Sequence, residues 1–308
     1  MKYSVILPVY NEQENIGFLY KRIVKAFSDL EEEYEIIFIN DGSCDKTKDI
    51  LIDLNKKNNK IKIINFSRNF GHQIALTAGL NFASGDQVAV LDADLQDPPE
   101  IIPKFFSKLD EGYDVVYAVR KKRKENIFKK TAYSLFYKIL HLIASVEIPL
   151  DSGDFCVLSR RMVKTINSFP ERNRFVRGLR SWAGFKQIGL EYERGKRSAG
   201  TSKYGLKKLF KLAFDGIFSF SFVPLQIMFI LGSASLFLSI LGIFWAIYMK
   251  FFTTNYNRVP GFATTTILIM FVGGLQLFSI GVMGEYLRRV YDEVKQRPQY
   301  IIESKIGF

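Results

Sequence analysis

Residues 87–96 read QVAVLDADLQ, an apolar run that ends in two carboxylates one residue apart. The first five residues are typical of a short buried β-strand, so Asp92 and Asp94 are expected just beyond its carboxyl end. Two carboxylates at this spacing can reach one hard cation, because Mg²⁺ and Mn²⁺ take oxygen ligands and bridge phosphate oxygens. A D-x-D sequence is a weak signal by itself, since most of them lie in turns or helix caps. Its meaning depends on the surrounding sequence.

The first 120 residues alternate between strand-like and helix-like stretches. We expect strands at Tyr3–Val9, Tyr34–Ile39, Ile61–Phe66, Gln87–Leu91 and Asp114–Val119, and helices at Glu14–Leu30, Thr47–Asn58, His72–Ala83 and Pro99–Leu109. We also expect Asp97 to cap the last of these helices. Strands separated by helices predict a mostly parallel sheet with helices on both faces. Ligands of such sheets bind beyond the carboxyl ends of the strands.

Candidate site residues, most of them polar, lie at those ends of three predicted strands. They are Pro8, Tyr10, Asn11 and Glu12 at the end of the first strand, residues 40–43 (Asn-Asp-Gly-Ser) after the second, and residues 92–96 after the fourth. Because the carboxyl ends of parallel strands meet at one edge, we expect these groups to form one site. Simpler interpretations remain open: Tyr10 could be an ordinary core residue, and the pair Asp41-Gly42 is also favoured in turns.

The C-terminal third of the sequence has a different character. Neither Gly216–Met249 nor Val259–Gly284 contains a charged residue. Each is longer than the roughly 20 residues needed to cross the core of a bilayer. We therefore expect two transmembrane helices, at about Phe222–Tyr248 and Phe262–Met283. The alternative, a helix buried in a soluble core, rarely continues this far without a charge.

The charges around these spans predict their orientation. The connecting loop, residues 249–261, holds only Lys250 and Arg258. The flanks hold Lys203, Lys207, Lys208 and Lys211 before the first span, and Arg288, Arg289, Lys295 and Arg297 after the second. The positive-inside rule places both termini in the cytoplasm and the loop outside. Residues 1–12 lack the pattern of a secretory signal, so we expect the N-terminal part to remain cytoplasmic.

Composition narrows the class of protein further. The net charge of +12 suits nucleic acid, an anionic membrane or a phosphate-bearing substrate. Two stretches, Asn126–Val146 and Lys203–Phe220, mix lysines with large apolar side chains, and we expect them to be interfacial helices rather than packed surface helices. Much of the charge then faces the membrane, which disfavours nucleic acid. Cys44 and Cys156 match neither a zinc site nor a disulfide framework, and fit a reducing compartment.

Seven motifs along the chain carry a specific resemblance. They are residues 8–12 (PVYNE), 40–43 (NDGS), 67–71 (SRNFG), 92–99 (DADLQDPP), 152–155 (SGDF), 170–173 (PERN) and 197–204 (RSAGTSKY), and the two spans and residues 284–286 (GEY) match as well. The sequence resembles family 2 glycosyltransferases with the GT-A fold. Within them it is similar to the polyprenyl-phosphate glycosyltransferases, which include dolichol-phosphate mannose synthase and, more closely, bacterial bactoprenol glucosyltransferases.

This resemblance implies a Rossmann-like α/β GT-A catalytic domain followed by two transmembrane helices. Residues 1–125 would form the nucleotide-sugar-binding core and residues 126–221 the acceptor-side and interfacial region. Residues 222–284 would hold the spans, and residues 285–308 a cytoplasmic tail. The implied reaction is inverting transfer of a hexose, with glucose favoured, from a UDP-sugar to undecaprenyl phosphate, with Mg²⁺ or Mn²⁺ as cofactor. Relatives also suggest a homo-oligomer, such as a tetramer.

The resemblance also implies roles for individual residues. Pro8, Tyr10, Glu12 and Asp41 would hold the nucleoside, and Asp92, Asp94 and Gln96 the metal ion and the diphosphate of the nucleotide-sugar. Asp94 and Asp154 would be catalytic, Asp154 facing the acceptor. Phosphate binding would fall to Arg120, Arg197, Ser202 and Lys203. His72 and His141 have no partner motif and are given no role.

The chemistry of the acceptor bears on Asp154. A phosphate monoester has a second pKa of about 6, so a lipid phosphate is mostly a dianion at cytoplasmic pH. It hardly needs a base to become a nucleophile, unlike a sugar hydroxyl. We therefore expect Asp154 mainly to orient the acceptor or accept a residual proton, while basic residues offset repulsion between two phosphates.

Two other functions stay open. A processive polysaccharide synthase shares the N-terminal fold but typically carries a Q-x-x-R-W motif and more spans, whereas this chain has Arg180-Ser181-Trp182 and two spans. A catalytically silent membrane scaffold or sugar-binding subunit is disfavoured by the intact Asp92, Asp94 and Asp154. The sugar itself, and UDP against GDP, are not determined by these motifs.

Overall fold

The computed structural model describes residues 1–30, 32–120, 152–172, 174–193, 221, 223–252 and 261–308. Its strands are β1 (Tyr3–Val9), β2 (Tyr34–Asn40), β3 (Ile61–Phe66), β4 (Gln87–Val90), β5 (Val115–Arg120), β6 (Ser152–Ser159), β7 (Gln187–Tyr192) and β8 (Ile302–Ile306). Its α-helices are α1 (Ile16–Ala26), α2 (Thr47–Lys57), α3 (His72–Phe82), α4 (Ile102–Asp110), α5 (Arg160–Ser168), α6 (Val176–Trp182), α7 (Val223–Phe252) and α8 (Gly261–Val294). The five strands expected from the sequence all form, within one residue of their expected ends.

The strands form one sheet in the order β7-β5-β6-β4-β1-β2-β3-β8. Its centre is parallel, since β1 pairs with β2 and β4, and β2 pairs with β3. β6 runs antiparallel between β4 and β5, and β7 runs parallel to β5. The mostly parallel α/β fold is therefore confirmed, with an antiparallel insertion that the alternation of strands and helices did not predict.

Helices cover both faces of the sheet, and the alternation of side chains along β1 explains why. Val5, Leu7 and Val9 pack on one face in a cluster that includes residues of α1, α2 and α4. Ile6 packs on the opposite face with residues of α3 and α5. Burying one such side chain contributes about 1.5–3 kcal/mol. A shift of β1 by one residue would exchange the two faces, so the pairing register is strongly specified.

One expected helix cap is wrong. The segment after the acidic stretch begins with a 3₁₀ turn, Pro99–Ile101, whose N-cap is Pro98 and which has no side-chain cap hydrogen bond. Asp97 is instead buried and accepts a hydrogen bond from the hydroxyl group of Tyr192 on β7. A partner this distant in sequence cannot be found from a local capping pattern.

The C-terminal residues, expected from the sequence to form only a tail, return to the sheet. β8 pairs antiparallel with β3 and covers its outer edge. The ring of Tyr300 stacks on Phe66 with the ring centroids 5.1 Å apart. Asn65 donates a hydrogen bond to Ser304 Oγ over 3.0 Å. Covering an edge strand in this way removes a surface that could pair with another chain.

Helices α7 and α8 belong to a second compact unit of the chain. Within them, Val223–Trp245 and Ile267–Val294 are long and apolar enough to cross a membrane, and almost none of their most apolar stretches is buried. A helix buried in a soluble core does not fit this exposure, whereas membrane association does. The expected interfacial stretches Asn126–Val146 and Lys203–Phe220, and His141, lie outside the described residues.

A buried carboxylate joins three strands at the amino-terminal end of the sheet. Glu35 on β2 is fully buried, and its carboxylate lies 2.6 Å from Nζ of Lys62 on β3. It also accepts hydrogen bonds from Ser4 on β1 and from the backbone and side chain of Ser84. Burial alone would raise the pKa of Glu35, but the contacts with Lys62, Ser4 and Ser84 outweigh it and hold that pKa below the ordinary value of 4.5.

Replacing Glu35→Gln is expected to lower the free energy of unfolding at pH 7 by about 1.5–3 kcal/mol, the usual contribution of a hydrogen bond to a charged group. Because the folded-state pKa is depressed, this stability is present above pH 4.5 and is lost as the pH falls through the folded-state value. Thermal unfolding of the detergent-solubilised full chain from pH 7 to pH 3 measures it. Glu303→Gln, which breaks the exposed pair with Lys48, is the control and should change little. A wild-type advantage over Glu35→Gln that is undiminished at pH 3 would contradict the assignment.

Candidate active site

A proline determines where the acidic loop leaves the sheet. Leu91 N donates to the carbonyl of Ile6, and Asp41 N donates to the carbonyl of Val9, so alternate residues of β1 face β4 and β2. Pro8 faces the β4 side and has no N–H to donate to the carbonyl of Leu91. The pairing of β1 with β4 accordingly ends at Ile6 and Val90, while that with β2 continues to Val9. The chain leaves the sheet at this point.

The expected metal and diphosphate ligands lie on one side of the acidic loop. Asp92, Asp94 and Gln96 are partly exposed, whereas the intervening Ala93 and Leu95 are buried. Leu95 has a positive φ of 63°. The carboxylate of Asp94 accepts a hydrogen bond from Gln96 N over 3.1 Å, which shapes the turn. The loop thus presents oxygen-bearing side chains at alternate positions.

The loops after β1 and β2 are held together by hydrogen bonds between side chains and backbone. Asn11 N donates to Ser43 Oγ over 3.0 Å, and Cys44 N donates to Asn11 Oδ1 over 2.8 Å. Glu12 N donates to Thr47 Oγ1 over 3.0 Å. Tyr10 beside them is 38% exposed, so an ordinary core role does not fit it. The polar groups after two strands therefore form one continuous surface.

Asp41 organises the neighbouring segment, residues 67–71. Its two carboxylate oxygens accept hydrogen bonds from Phe70 N over 2.7 Å and Gly71 N over 3.0 Å. Burial raises the pKa of Asp41, and these two hydrogen bonds oppose that rise. Gly42, with φ of 67°, packs so closely that an added Cβ would lie 2.4 Å from the backbone carbon of Arg68. Asp41 and Gly42 thus hold the segment 67–71 in place, and the pair also suits a turn.

A second carboxylate, Asp154, lies close to the acidic loop. β4 and β6 pair antiparallel with Val90 opposite Cys156, a register that places Asp154 opposite Asp92 where β4 ends. Nε2 of His72, the first residue of α3, lies 3.5 Å from a carboxylate oxygen of each. Asp92 and Asp154 are therefore brought together around one imidazole.

Both oxygens of Asp154 have donors nearby. Oδ1 lies 3.3 Å from Nη2 of Arg177, and Oδ2 accepts a hydrogen bond from Nε2 of Gln73 over 3.2 Å. The amide oxygen of Gln73 in turn accepts a hydrogen bond from Val176 N over 2.9 Å. Gln73 therefore ties the start of α6 to the carboxylate.

Burial and charge shift the pKa of all three central groups. Burial alone would raise the pKa of Asp154, but the charge of Arg177 and the hydrogen bond with His72 outweigh it and hold that pKa well below its usual range. Burial would lower the pKa of His72, but Asp154 and Asp92 raise it to about 9. Burial raises the pKa of Asp92 to about 6, although His72 opposes the rise. A cationic imidazole therefore offsets the repulsion between the two carboxylates at neutral pH.

The structure gathers the expected donor-side residues and Asp154 along the same end of the sheet. Of the expected phosphate ligands, Arg120 is the last residue of β5, and Arg197, Ser202 and Lys203 lie outside the described residues. His72, Gln73 and Arg177 contact Asp154 but were not expected there. The position of His72 directly after the segment 67–71 was the signal that could have indicated it. Gln73 and Arg177 have no comparable local signal.

A mostly parallel sheet with paired carboxylates beyond its carboxyl ends fits an α/β transferase of the GT-A class. The sequence pattern of glycosyl transferase family 2 matches residues 4–166. The chain belongs to this family, and it is a glycosyltransferase. It is 44% identical over 308 residues to the uncharacterized glycosyltransferase YkcC of Bacillus subtilis, covering 100% of this chain and 95% of the relative.

Two further relatives match over nearly their full lengths. One is the uncharacterized glycosyltransferase sll0501 of Synechocystis, 44% identical over 99% of this chain and 95% of the relative. The other is the SfII prophage-derived bactoprenol glucosyl transferase of Shigella flexneri, 42% identical over 99% of this chain and 98% of the relative. The similarity to the bactoprenol glucosyltransferase group expected from the motifs is confirmed.

Replacing Gly42→Ala is expected to disrupt the loops around Asp41. The substitution combines a positive φ, which costs about 1–2 kcal/mol for a residue with a Cβ, with a clash against the backbone of Arg68. Transfer activity and the thermal unfolding midpoint should both fall. The matched control is Gly112→Ala, since Gly112 has φ of 92° but open space around it. Equal loss of activity in the two variants would show that the close contact with Arg68 is unimportant.

Proposed function

We propose that the protein transfers a hexose, with glucose favoured, from a UDP-sugar to polyprenyl phosphate at the cytoplasmic face of the membrane. The observation that carries this proposal is the approach of Asp92 and Asp154 to one imidazole, that of His72, at 3.5 Å from each. It provides a donor-side and an acceptor-side carboxylate within one site. Several relatives bear the name bactoprenol glucosyl transferase, which supports undecaprenyl phosphate as acceptor and glucose as sugar.

The donor is proposed to lie on the loops after β1, β2 and β4. Pro8, Tyr10, Glu12 and Asp41 would hold the nucleoside, and Asp92, Asp94 and Gln96 the diphosphate. The exposed ring of Tyr10 beside the joined loops supports a role in binding a planar base. In this arrangement the D-x-D pair lies next to the bond that breaks.

A divalent cation, Mg²⁺ or Mn²⁺, fits the acidic loop. Oδ1 of Asp92 is buried and accepts no hydrogen bond from the described residues, although Nε2 of His72 lies 3.5 Å from it. Asp94 is also partly exposed on this loop. Within the described part of the chain, no group of three or more His, Cys, Asp or Glu side chains could hold a metal ion alone. Mg²⁺ suits such a site, because it usually keeps waters and substrate phosphate oxygens as ligands. A cation bound there would neutralise charge on the departing nucleoside diphosphate.

The proposed reaction is a single inverting displacement. A phosphate oxygen of the acceptor attacks the anomeric carbon of the sugar, and the bond from that carbon to the donor phosphate oxygen breaks. The electron pair leaves with the nucleoside diphosphate. With a second pKa of about 6, the acceptor is already mostly a dianion at neutral pH, so no proton has to be removed.

The surroundings of Asp154 support an orienting role rather than that of a general base. Donors contact both of its oxygens, and its depressed pKa makes it a weak proton acceptor. Its negative charge also keeps Arg177 and His72 in place. We therefore assign to Asp154 the alignment of cationic groups around the acceptor phosphate.

The membrane part of the proposal rests on charge and on the two apolar helices α7 and α8. Lysines and arginines are concentrated before the first helix and after the second, and few lie in the loop 249–261. The positive-inside rule then places the catalytic domain and both termini in the cytoplasm. Gly273, Gly274 and Gly281 of α8 have open space around them, which supports association of copies into a homo-oligomer such as a tetramer.

The experiment that tests the proposal incubates the detergent-solubilised full chain with a panel of nucleotide-sugars, undecaprenyl phosphate and Mg²⁺ or Mn²⁺. Mass spectrometry of the lipid is expected to show one added hexose, with UDP-glucose as the best donor. Asp92→Asn and Asp94→Asn should each reduce transfer by about 100-fold or more. Asp53→Asn on α2, an exposed carboxylate distant in sequence from the loop, is the control. If no donor yields a lipid product, the proposal is wrong.

The variant Asp154→Asn tests the role of that carboxylate. Because the acceptor is its own nucleophile, we expect reduced but measurable transfer that rises between about pH 5 and pH 7 as the acceptor phosphate loses its second proton. Steady-state rates over this range measure the effect. Complete inactivity at pH 8 in a variant that still binds both substrates would instead indicate a required base or nucleophile.

A further inference from the structure

Two arginines on α6 place positive charge beside Asp154. Arg177 and Arg180 are three residues apart and therefore lie on the same side of the helix. Nη2 of Arg177 lies 3.3 Å from a carboxylate oxygen of Asp154. Arg180 lies over the ring of Tyr117, which is paired in the sheet with Cys156, two residues after Asp154 on β6. Guanidinium groups remain charged in proteins. Two permanent cations therefore lie on the side of α6 that approaches Asp154.

Arg180 is buried without full hydrogen bonding. The residue is 1% exposed, and its Nε and Nη2 donate to no described residue. Its described surroundings include the ring of Tyr117, 5.1 Å from the guanidinium carbon, and the thiol of Cys156. Arg177 is similar, because its Nη2 contacts Asp154 while its buried Nε has no described partner. Buried donors without acceptors are costly unless something else satisfies them.

Other arginines of the same region are used differently. Arg160 donates to the backbone carbonyls of Ala83 and Gly85, and Nη2 of Arg174 donates to the carbonyl of Ile166. These contacts fix backbone segments, although Nε of the buried Arg174 has no described partner either. Arg177 and Arg180 make no such contact with a described carbonyl, so packing alone does not account for their donors.

We propose that Arg177 and Arg180 form a phosphate subsite beside Asp154, which binds a phosphoryl group of one of the two reaction partners. The planar guanidinium group matches two phosphate oxygens at once and is the side chain best suited to such an anion. Gln73 positions the subsite, because it links Asp154 to Val176 at the start of α6. The choice of these two anions rests on the proposed function. The acceptor monoester and the leaving diphosphate both present phosphate oxygens, so the subsite could bind either.

The test measures binding to the detergent-solubilised full chain without turnover. The probes are farnesyl phosphate, farnesol as its phosphate-free control, and UDP. Arg180→Lys and Arg177→Gln should weaken binding of a phosphate-bearing probe by at least about tenfold, as loss of a charged hydrogen bond implies. Farnesol binding should not change. Arg174→Lys is the matched control, because Arg174 is also buried but donates to Ile166.

The probes distinguish the two sources of phosphate. Weaker farnesyl phosphate binding with unchanged UDP binding assigns the subsite to the acceptor, and the reverse assigns it to the leaving diphosphate. Arg177 is partly exposed, so Arg177→Gln should fold even if Arg180→Lys does not. Unchanged binding of both probes in folded Arg177→Gln overturns the inference, as does an equal loss in Arg174→Lys. The binding measurement needs no donor sugar. If no nucleotide-sugar supports transfer, the proposed function is therefore wrong, but the phosphate subsite is still tested by the binding measurement.

Discussion

The missing backbone donor at Pro8 is the constraint on which the arrangement of the site depends. β1 is the central parallel strand, and it must pair with β2 and β4 to build the core. Because Pro8 cannot donate toward β4, that pairing ends early and the chain is released from the sheet just before Asp92. The other side of β1 stays paired to Val9, so the loops after β1 and β2 remain fixed. Pro8 thus lies between the fixed loops after β1 and β2 on one side and the acidic loop after β4 on the other.

The second determinant is the balance of charge around Asp154. Placing Asp92 and Asp154 near each other would be unfavourable without the imidazole of His72 between them. Arg177 then engages the side of Asp154 that His72 does not. A transferase that brings two phosphate groups together needs cations at this place, and the cations beside Asp154 leave it poorly suited to accept a proton. The electrostatics of the site and its proposed chemistry therefore agree.

The C-terminal strand connects this site with the end of the chain. β8 pairs with β3, and Ile301 accepts a hydrogen bond from Ser67 N at the start of the segment that Asp41 holds. Residues that follow the long helix α8 in sequence are consequently part of the catalytic sheet. The segment 67–71 is supported on one side by Asp41 and at its start by the C-terminal strand. This double support explains how an irregular segment can precede His72 and still position its imidazole.

The sequence by itself determined the elements of the parallel core, the two apolar helices and the polar ends of the strands, because periodicity, charge and turn chemistry are local properties. It also identified Asp92 and Asp94 as neighbours of a strand end, and the motif containing Asp154. Only the tertiary structure decided that β6 inserts antiparallel beside β4, which sets Asp154 opposite Asp92. It likewise decided that His72, Gln73 and Arg177 surround Asp154 and that Asp97 contacts Tyr192 instead of capping a helix. These contacts join residues far apart in sequence, and strand register and burial, which no local pattern contains, determine them.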